Sequence, residues 1–254
     1  LKSVAGHYGC SLYTVLLAGL KILLLGLGGQ SKMVVGMPVA GQAITNNNDL
    51  VGGCLNYVPL ISNLEWDQFF GQFLKNLRGT VLEAIENGRY SFNEISAGTS
   101  STKEPARVPF IQLCLNMSPK MEGTQLKYHQ LEVEYDVNPR YFESFELFIN
   151  AVTTRDDKLV LEFQYNSDLF TEREISKWQR FLAKIYESIG VDSNRKLSEY
   201  LECCGLNRKI NTNVAPVYED TFPPGDTPFY FGEDKSLYGI CHVPKKEQCD
   251  TGVL

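Results

Sequence analysis

The pattern of apolar and polar residues along the chain is organised around residues 33–61. The apolar residues Met33–Val35 lead into a segment that contains Gly36 and Pro38, and a second apolar run, Leu55–Ile61, follows a pair of glycines. Short apolar runs bounded by Gly, Pro and Asn are typical of buried strands. We therefore predict two strands that are joined by a glycine-rich loop.

A helix is predicted on each side of these strands. Leu12–Leu27 is apolar nearly all round, which indicates burial on several sides, and Ser11 is a suitable N-cap. This run is interrupted by Lys21 and is shorter than the roughly 20 residues that a bilayer requires. We therefore expect a core helix and no membrane partner. Trp66–Glu86 has apolar residues at helical spacing and ends at Asn87-Gly88.

The block that follows is rich in predicted strands. Four runs have the composition of strands: Val108–Met117, Leu131–Val137, Phe145–Thr153 and Lys158–Tyr165. The last two are predicted to form a hairpin that turns at Asp156-Asp157. Thr171 and Glu174 have the spacing of a capping box, which predicts a helix over Glu172–Ile189. A short helix is expected at Leu197–Cys204. Periodicity alone thus predicts a soluble α+β domain.

Composition narrows the classes of function. The 254 residues allow one large domain, or a medium domain with an appendage. The net charge of −6, without a cluster of basic residues, argues against a nucleic-acid partner. Seven cysteines without Cys-x-x-Cys spacing argue against a zinc site and favour reduced thiols in the cytoplasm. The chain begins with Leu1 and has no signal peptide, so we expect a cytoplasmic piece of something longer.

The central stretch carries a family resemblance. GMPVAGQ followed by VGGCLNYVPL resembles the glycine-alanine-glycine loop and the Gly-x-Phe-x-Asn strand of condensation domains of nonribosomal peptide synthetases. The matching residues are Gly36, Pro38, Ala40, Gly41, Gly52, Asn56, Pro59 and Leu60. Gln42 and Ile61 stand where the family usually has basic residues, and Asn87-Gly88-Arg89-Tyr90 stands where it commonly has a His-Gln-Asp motif. These departures argue against an ordinary peptide-bond-forming subtype.

The later strands extend the resemblance over residues 1–190. FIQLCLNM is similar to a strand of that family, and the hairpin, the turn Tyr165–Phe170 and the helix that follows resemble the end of its C-terminal lobe. The resemblance implies a chloramphenicol acetyltransferase-like fold, with a mixed sheet and packed helices. It implies that this chain holds only the C-terminal lobe, with the N-terminal lobe of the same domain as its partner.

The family's active site rests on a His-His-x-x-x-Asp-Gly motif, and this sequence does not contain it. Its three histidines are His7, His129 and His242, and none is adjacent to another. No catalytic residue is therefore expected in this chain, which we interpret as the second wall of a substrate channel. The residues predicted to belong to a substrate-channel loop are Gly36, Pro38, Gly41, Gly53 and Asn56. No metal site and no directly bound cofactor are expected.

The end of the chain is predicted to lie outside this lobe. Residues 191–226 have the polar and proline content of a linker. Residues 227–254 contain two short strand-like runs and Leu-Tyr-Gly-x-x-His-x-Pro, which resemble the opening β-hairpin of an α/β-hydrolase domain. The sequence contains no Gly-x-Ser-x-Gly, so it cannot assemble a hydrolase triad by itself.

The resemblance implies acyl transfer from a carrier-bound thioester to an amine or a hydroxyl. The partners would be peptidyl or acyl carrier proteins, whose phosphopantetheine arms deliver the acyl groups. Two alternatives stay open. The chain is a non-catalytic module that docks a carrier or an enzyme, or it is a platform that delivers substrate to a downstream α/β-hydrolase.

Overall fold

The computed structural model describes residues 1–41, 49, 51–88, 111–119, 145–154 and 158–206, together with the backbone of two later strands. The helices are α1 (Lys2–His7), α2 (Leu12–Gly28), α3 (Phe70–Glu86), α4 (Glu172–Val191) and α5 (Leu197–Glu202). The strands are β1 (Lys32–Ala40), β2 (Leu55–Asn63), β3 (Leu113–Pro119), β4 (Leu147–Thr153), β5 (Leu159–Tyr165), β6 (Asp226–Phe231) and β7 (Leu237–His242).

Strands β1 to β5 form one mixed sheet in the order β2-β1-β3-β4-β5. The two outer pairs, β1 with β2 and β4 with β5, are antiparallel. The two inner pairs, β1 with β3 and β3 with β4, are parallel. The carboxyl ends of β1, β3 and β4 therefore lie at the same edge of the sheet. This arrangement confirms the predicted α+β class with a mixed sheet.

Helix α2 is the centre of the core, as its composition predicts. The Ser11 hydroxyl accepts a hydrogen bond from the Thr14 N–H at 3.1 Å, and Gly29 ends the helix in the left-handed region at φ 70°. Lys21 is fully buried within the helix, and its Nζ donates to the Leu60 carbonyl of β2 at 2.9 Å. Burial lowers the pKa of Lys21 to about 7. None of the helices that the structure describes is both long and apolar enough to cross a membrane.

Helix α3 begins four residues later than predicted, so the predicted start at Trp66 is wrong. The carbonyls of Trp66 and Gln68 accept hydrogen bonds of 2.9 Å from the amides of Ser198 and Leu197. Trp66 and Asp67 lie in a turn that the Gln68 N–H closes by donating to the Glu65 carbonyl at 3.1 Å. The long-range bonds hold this turn in front of the helix, which local periodicity cannot show. Helical spacing predicts that Phe69, Leu82 and Ile85 lie on the buried face, but all three are exposed.

The capping box of α4 is confirmed. The Thr171 hydroxyl accepts from the Glu174 N–H, and the Glu174 carboxylate accepts from the Thr171 N–H at 2.8 Å. The predicted β4–β5 pairing is confirmed as well, although its turn at residues 155–157 lies outside the described residues. Strands β3 and β4 begin at Leu113 and Leu147, later than the sequence predicts, and the predicted strand at Leu131–Val137 also lies outside the described residues.

Helix α5 belongs to the same core as the elements before it. Leu197, Tyr200 and Leu201 are completely buried there, and the Tyr200 hydroxyl donates to the Asp192 carbonyl at 2.8 Å. Strands β6 and β7 pair antiparallel, as expected for the predicted hairpin. Residues 207–225 lie outside the described part of the chain. The division into a lobe, a linker and a second domain stays a prediction.

Candidate functional site

A groove of about 490 Å³ opens at the edge of the sheet where β1, β3 and β4 all end. The start of α2 and the end of α3 form its other sides. Open sheets that contain parallel strands commonly bind ligands beyond the carboxyl ends of those strands. The groove is therefore the candidate functional site.

Part of the lining is apolar. The apolar lining residues are Met37, Pro38, Val39, Val81, Ile85 and Met117. Met37 and Val81 are buried, whereas Ile85 is 52% exposed. A surface of this kind removes apolar groups of a ligand from water, which contributes about 25 cal/mol for each Å² that is buried.

The remaining described lining residues are polar but uncharged. They are Ser11, Tyr13, Asn116, Ser118 and Thr153. The Nδ2 of Asn116 and the hydroxyl of Ser118 both donate to Asn150 Oδ1, at 3.0 and 3.1 Å. Asn150 Nδ2 in turn donates to Glu162 Oε2 at 2.9 Å. This chain of hydrogen bonds crosses three strands and fixes Asn116 and Ser118 in the lining.

The alternation of hydrogen bonds along β1 determines which of its residues face β3. The Gly41 N–H donates to the Cys54 carbonyl at 2.6 Å, and the Leu64 N–H donates to the Ser31 carbonyl at 2.8 Å. These bonds lie at the two ends of the β1–β2 register, so the odd-numbered residues of β1 bond to β2. The even-numbered residues turn their backbone groups towards β3.

The groove opens where Pro38 interrupts the sheet. The register between β1 and β3 is confined to Gly36 and Cys114. Two residues further on, the N–H of residue 38 would donate to the Leu115 carbonyl, but proline has no N–H. The Tyr13 hydroxyl donates to that carbonyl instead, at 3.1 Å. A side chain of α2 thus replaces a sheet bond, and the two strands are free to separate.

The Tyr13 hydroxyl stays protonated in this role. Burial raises the pKa of Tyr13 well above its usual range, and the nearby Cys114 thiol raises it further. A neutral phenol is a hydrogen-bond donor at all physiological pH values. We conclude that Tyr13 stabilises the end of β3 and is not a base.

The predicted channel loop is only partly brought together in the groove. Pro38 lines it, but Gly36 and Gly41 serve packing: a Cβ at Gly36 would meet Ile111 Cγ2, and a Cβ at Gly41 would meet the Cys54 carbonyl. Gly53 is exposed, and no atom lies within 4 Å of the place where its Cβ would be. None of these three glycines is among the described lining residues.

Asn56, the fifth predicted residue, joins β2 to α3. Its Nδ2 donates to the Gly88 carbonyl at 2.9 Å, just beyond the end of the helix. The bond fixes the end of α3, the helix that carries Val81 and Ile85 into the groove. Asn56 is not among the described lining residues, but it positions the helix that contributes two of them.

The histidines contribute no base to the described groove. His7 is the last residue of α1, and its ring lies 4.8 Å from the ring of Tyr8. His129 lies outside the described residues, and only the backbone of His242 is described. Over the part of the chain that is described, no cluster of His, Cys, Asp and Glu could hold a metal ion. None of the described lining residues of the groove is a histidine or a carboxylate.

The sequence did not single out most of the groove. Local pattern predicts only a helix at Tyr13 and strands at Asn116 and Thr153, and Ser118 follows the predicted strand that ends at Met117. The sole local signal was Pro38, because a proline in an inner strand marks a place where the ladder is interrupted. The polar lining residues come together because β3 and β4 pair in parallel, in a register that places Asn116 beside Asn150.

The family model of the condensation domain matches residues 1–202. The chain belongs to the condensation-domain family. Surfactin synthase subunit 2 of Bacillus subtilis (strain 168) is 27% identical over 199 residues, which are 78% of this chain and 6% of that protein. The chain therefore spans only a small part of the curated relatives that it matches.

Solved structures with the same fold include nonribosomal peptide synthetases. Holo-AB3403, a four-domain synthetase bound to AMP and glycine, matches with a TM-score of 0.68 and 18% identity, over 78% of this chain and 16% of that chain. The condensation domain of the monacolin K polyketide synthase MokA matches with a TM-score of 0.66 and 14% identity. The match covers 77% of this chain and 45% of that chain. A complex of the X-domain and OxyB from teicoplanin biosynthesis matches with a TM-score of 0.65 and 19% identity. The match covers 78% of this chain and 44% of that chain.

Proposed function

We propose that this chain is the C-terminal lobe of a condensation domain and forms the second wall of its acyl-transfer channel. The observation that carries the proposal is the groove at the carboxyl edge of the sheet, in a chain whose family model extends over residues 1–202. The chain spans 45% of the MokA condensation domain, which is consistent with one lobe of two. The other wall would be the N-terminal lobe of the same domain.

The reaction is acyl transfer from a thioester on a carrier protein. The nitrogen or oxygen of the acceptor attacks the thioester carbonyl, a C–N or C–O bond forms, and the C–S bond breaks. The acceptor loses a proton, and the departing carrier thiolate gains one. The imidazole that assists this transfer would come from a His-His-x-x-x-Asp-Gly motif in the N-terminal lobe, because the described groove contains no base.

The acyl groups would arrive on the phosphopantetheine arms of peptidyl or acyl carrier proteins. The apolar lining residues of the groove, among them Met37, Val39 and Met117, suit the acyl end of such an arm. The arm supplies the thiol that carries the acyl group, and these residues bind and orient that group.

A second candidate function is a non-catalytic docking module. The same fold occurs in the X-domain, which forms a complex with OxyB in teicoplanin biosynthesis. The departures from the family pattern at Gln42, Ile61 and Asn87-Gly88-Arg89-Tyr90 fit such a role. In this version the chain docks a carrier protein and delivers substrate to an α/β-hydrolase that begins at residues 227–254.

The first experiment is to sequence the coding DNA upstream of Leu1. A His-His-x-x-x-Asp-Gly motif in the same reading frame supports the acyl-transfer proposal, and an open frame without it favours the docking module. The second experiment uses the full protein with Thr153→Phe, which places a ring at the groove. We expect product formation to fall at least about tenfold, equivalent to 1.4 kcal/mol.

The matched control for Thr153→Phe is Val160→Phe. Val160 is an exposed residue of β5, the other strand of the same hairpin, and it is not among the described lining residues. Carrier loading and the unfolding temperature should be unchanged in both variants. Equal product formation by both variants and the natural protein would contradict a role for the groove in acyl transfer.

A further inference from the structure

Glu162 is not among the described lining residues of the groove, but hydrogen bonds join it to two of them. The register of the sheet places Asn116, Asn150 and Glu162 side by side on β3, β4 and β5. Side chains at such paired positions lie on the same face of a sheet and within reach of one another. Asn116 and Ser118, two residues further along β3, both line the groove.

The carboxylate of Glu162 determines how the side-chain amide of Asn150 is turned. An ionised carboxylate only accepts hydrogen bonds, so the atom of Asn150 that bonds to it must be the Nδ2 nitrogen. This nitrogen donates to Glu162 Oε2 at 2.9 Å. The Oδ1 of Asn150 is therefore turned to β3, where it accepts from Asn116 Nδ2 at 3.0 Å and from the Ser118 hydroxyl at 3.1 Å.

The orientation of Asn150 determines which atoms Asn116 and Ser118 keep for other partners. Asn116 uses one N–H and keeps its Oδ1 and a second N–H, whereas Ser118 uses its hydroxyl hydrogen and keeps its oxygen as an acceptor. A reversed Asn150 amide would turn its Nδ2 to these two donors. Asn116 would then have to turn its own Oδ1 to Asn150, and the Ser118 hydroxyl would be released to donate elsewhere.

We propose that Glu162 is a positioning residue of the acyl-transfer channel. It fixes the Asn150 amide, and through it the hydrogen-bonding groups that Asn116 and Ser118 offer to a substrate. The oxygens of these two side chains are kept as acceptors for an N–H group, such as that of an aminoacyl substrate. This inference rests on the proposed function, because it assigns a role in the same channel.

The first test observes the hydrogen bonds without any reaction. The side-chain amides of asparagine are labelled with ¹⁵N in the full chain, and their signals are compared between the natural protein, Glu162→Lys and Glu162→Gln. Lysine only donates, so Glu162→Lys should reverse the Asn150 amide and shift the Nδ2 signals of Asn116 and Asn150. Glutamine can turn its Oε1 to Asn150, so Glu162→Gln should leave both signals near their natural positions.

Two controls accompany this measurement. The signals of Asn116 and Asn150 are identified by their loss in Asn116→Asp and Asn150→Asp. Glu187→Lys makes the same change in net charge as Glu162→Lys, at an exposed position of α4. It should leave the Asn116 and Asn150 signals unaltered.

The second test measures acyl transfer by the full protein. Glu162→Lys should lower kcat/KM about threefold to tenfold, which is the effect expected from one displaced hydrogen bond. Glu162→Gln should restore kcat/KM to within about twofold of the natural value, because an acceptor again faces Asn150. The unfolding temperatures of the two variants should be equal, since Glu162 is exposed and is not part of the core.

A double substitution tests the route through Asn150. If Glu162 acts through Asn150, Glu162→Lys should cause no further loss of kcat/KM in a protein that already carries Asn150→Ala. A direct contact between Glu162 and the substrate, or a general effect of its charge, would make the two losses additive. The comparison therefore separates positioning from both of these roles.

Three outcomes would overturn the inference. They are Asn116 and Asn150 signals that respond alike to Glu162→Lys and Glu187→Lys, an equal loss of kcat/KM in Glu162→Lys and Glu162→Gln, and additive losses from Glu162→Lys and Asn150→Ala. Failure of the proposed function would be distinguishable. Unaltered product formation by both Thr153→Phe and Glu162→Lys would contradict the proposed function, whereas a loss with Thr153→Phe alone would contradict only this inference.

Discussion

The Tyr186 hydroxyl of α4 donates a hydrogen bond of 2.8 Å to the Leu16 carbonyl of α2. The bond joins residues 170 positions apart in the sequence, and both atoms are buried. Gly19 lies beside the aromatic ring, and a Cβ at this position would meet the Cε1 atom of Tyr186. The close approach of the two helices thus depends on a glycine in one and a tyrosine in the other.

Gly19→Ala should therefore destabilise the protein, although alanine is the better helix former. We expect the free energy of unfolding to fall by roughly 1–3 kcal/mol, because the added methyl group displaces the Tyr186 ring. Urea denaturation measures the change. The matched control is Gly79→Ala in α3, where nothing lies within 4 Å of the new methyl group. The free energy of unfolding of Gly79→Ala should rise by about 1 kcal/mol. A fall in both variants would contradict the explanation that the Tyr186 ring leaves no room for a methyl group at position 19.

Replacing Asn56 should loosen the end of α3. Asn56→Asp keeps the size of the side chain but removes the N–H that donates to the Gly88 carbonyl. We expect a loss of about 1–3 kcal/mol in the free energy of unfolding, since a carboxylate beside a carbonyl is also unfavourable. Faster amide hydrogen exchange at Glu86 and Asn87 should accompany it. Asn76→Asp on the exposed face of α3 is the control, and an equal loss there would contradict the role of the Gly88 bond.

The contrast between α4 and α3 shows what the sequence could predict and why. The start of α4 depends on Thr171 and Glu174, which are three residues apart, so a local motif contains all the information. The start of α3 depends on bonds from Ser198 and Leu197 to residues about 130 positions earlier, and no local pattern records them. The presence of the strands could be predicted because each strand is a local apolar run in the sequence.

The groove was less predictable than the fold for the same reason. Pro38 was noticed as part of a family motif, but its effect requires knowing that the Leu115 carbonyl lies opposite and that Tyr13 reaches it. The polar part of the lining requires the register of Asn116 with Asn150. These are relations between elements, which composition and periodicity do not encode.

The stability of the protein should rise with pH above neutrality because of Lys21. Burial lowers the pKa of Lys21 to about 7 in the folded chain, while an unfolded lysine has a pKa of about 10.4. Between these values the unfolded chain binds more protons, so the Lys21 contribution to the free energy of unfolding rises by roughly 1.4 kcal/mol per pH unit. Below pH 7 both states are protonated and the contribution is constant.

The comparison with Lys21→Met isolates this effect. The thiols of Cys10 and Cys204 have pKa values that burial raises, so they remove stability over part of the same range in both proteins. Between pH 7 and pH 10, the free energy of unfolding of the natural protein should therefore rise relative to that of Lys21→Met. Urea denaturation at several pH values measures it. A difference independent of pH would show that Lys21 is not titrating in this range.

Gly41 and Gly53 provide a test of the loop that the sequence singled out. Both are predicted to belong to the substrate-channel loop, but their surroundings differ: a Cβ at Gly41 would meet the backbone carbonyl of Cys54, and a Cβ at Gly53 would meet nothing within 4 Å. The Gly41 N–H also donates to that carbonyl at 2.6 Å, so the two backbones cannot move apart without losing a sheet bond. We expect Gly41→Ala to reduce the free energy of unfolding by roughly 1–3 kcal/mol, and Gly53→Ala to change it by less than about 0.5 kcal/mol. If Gly53→Ala instead abolished product formation in the full protein without altering stability, Gly53 would have a direct role in the channel. That result would contradict the passive role that its exposed position indicates.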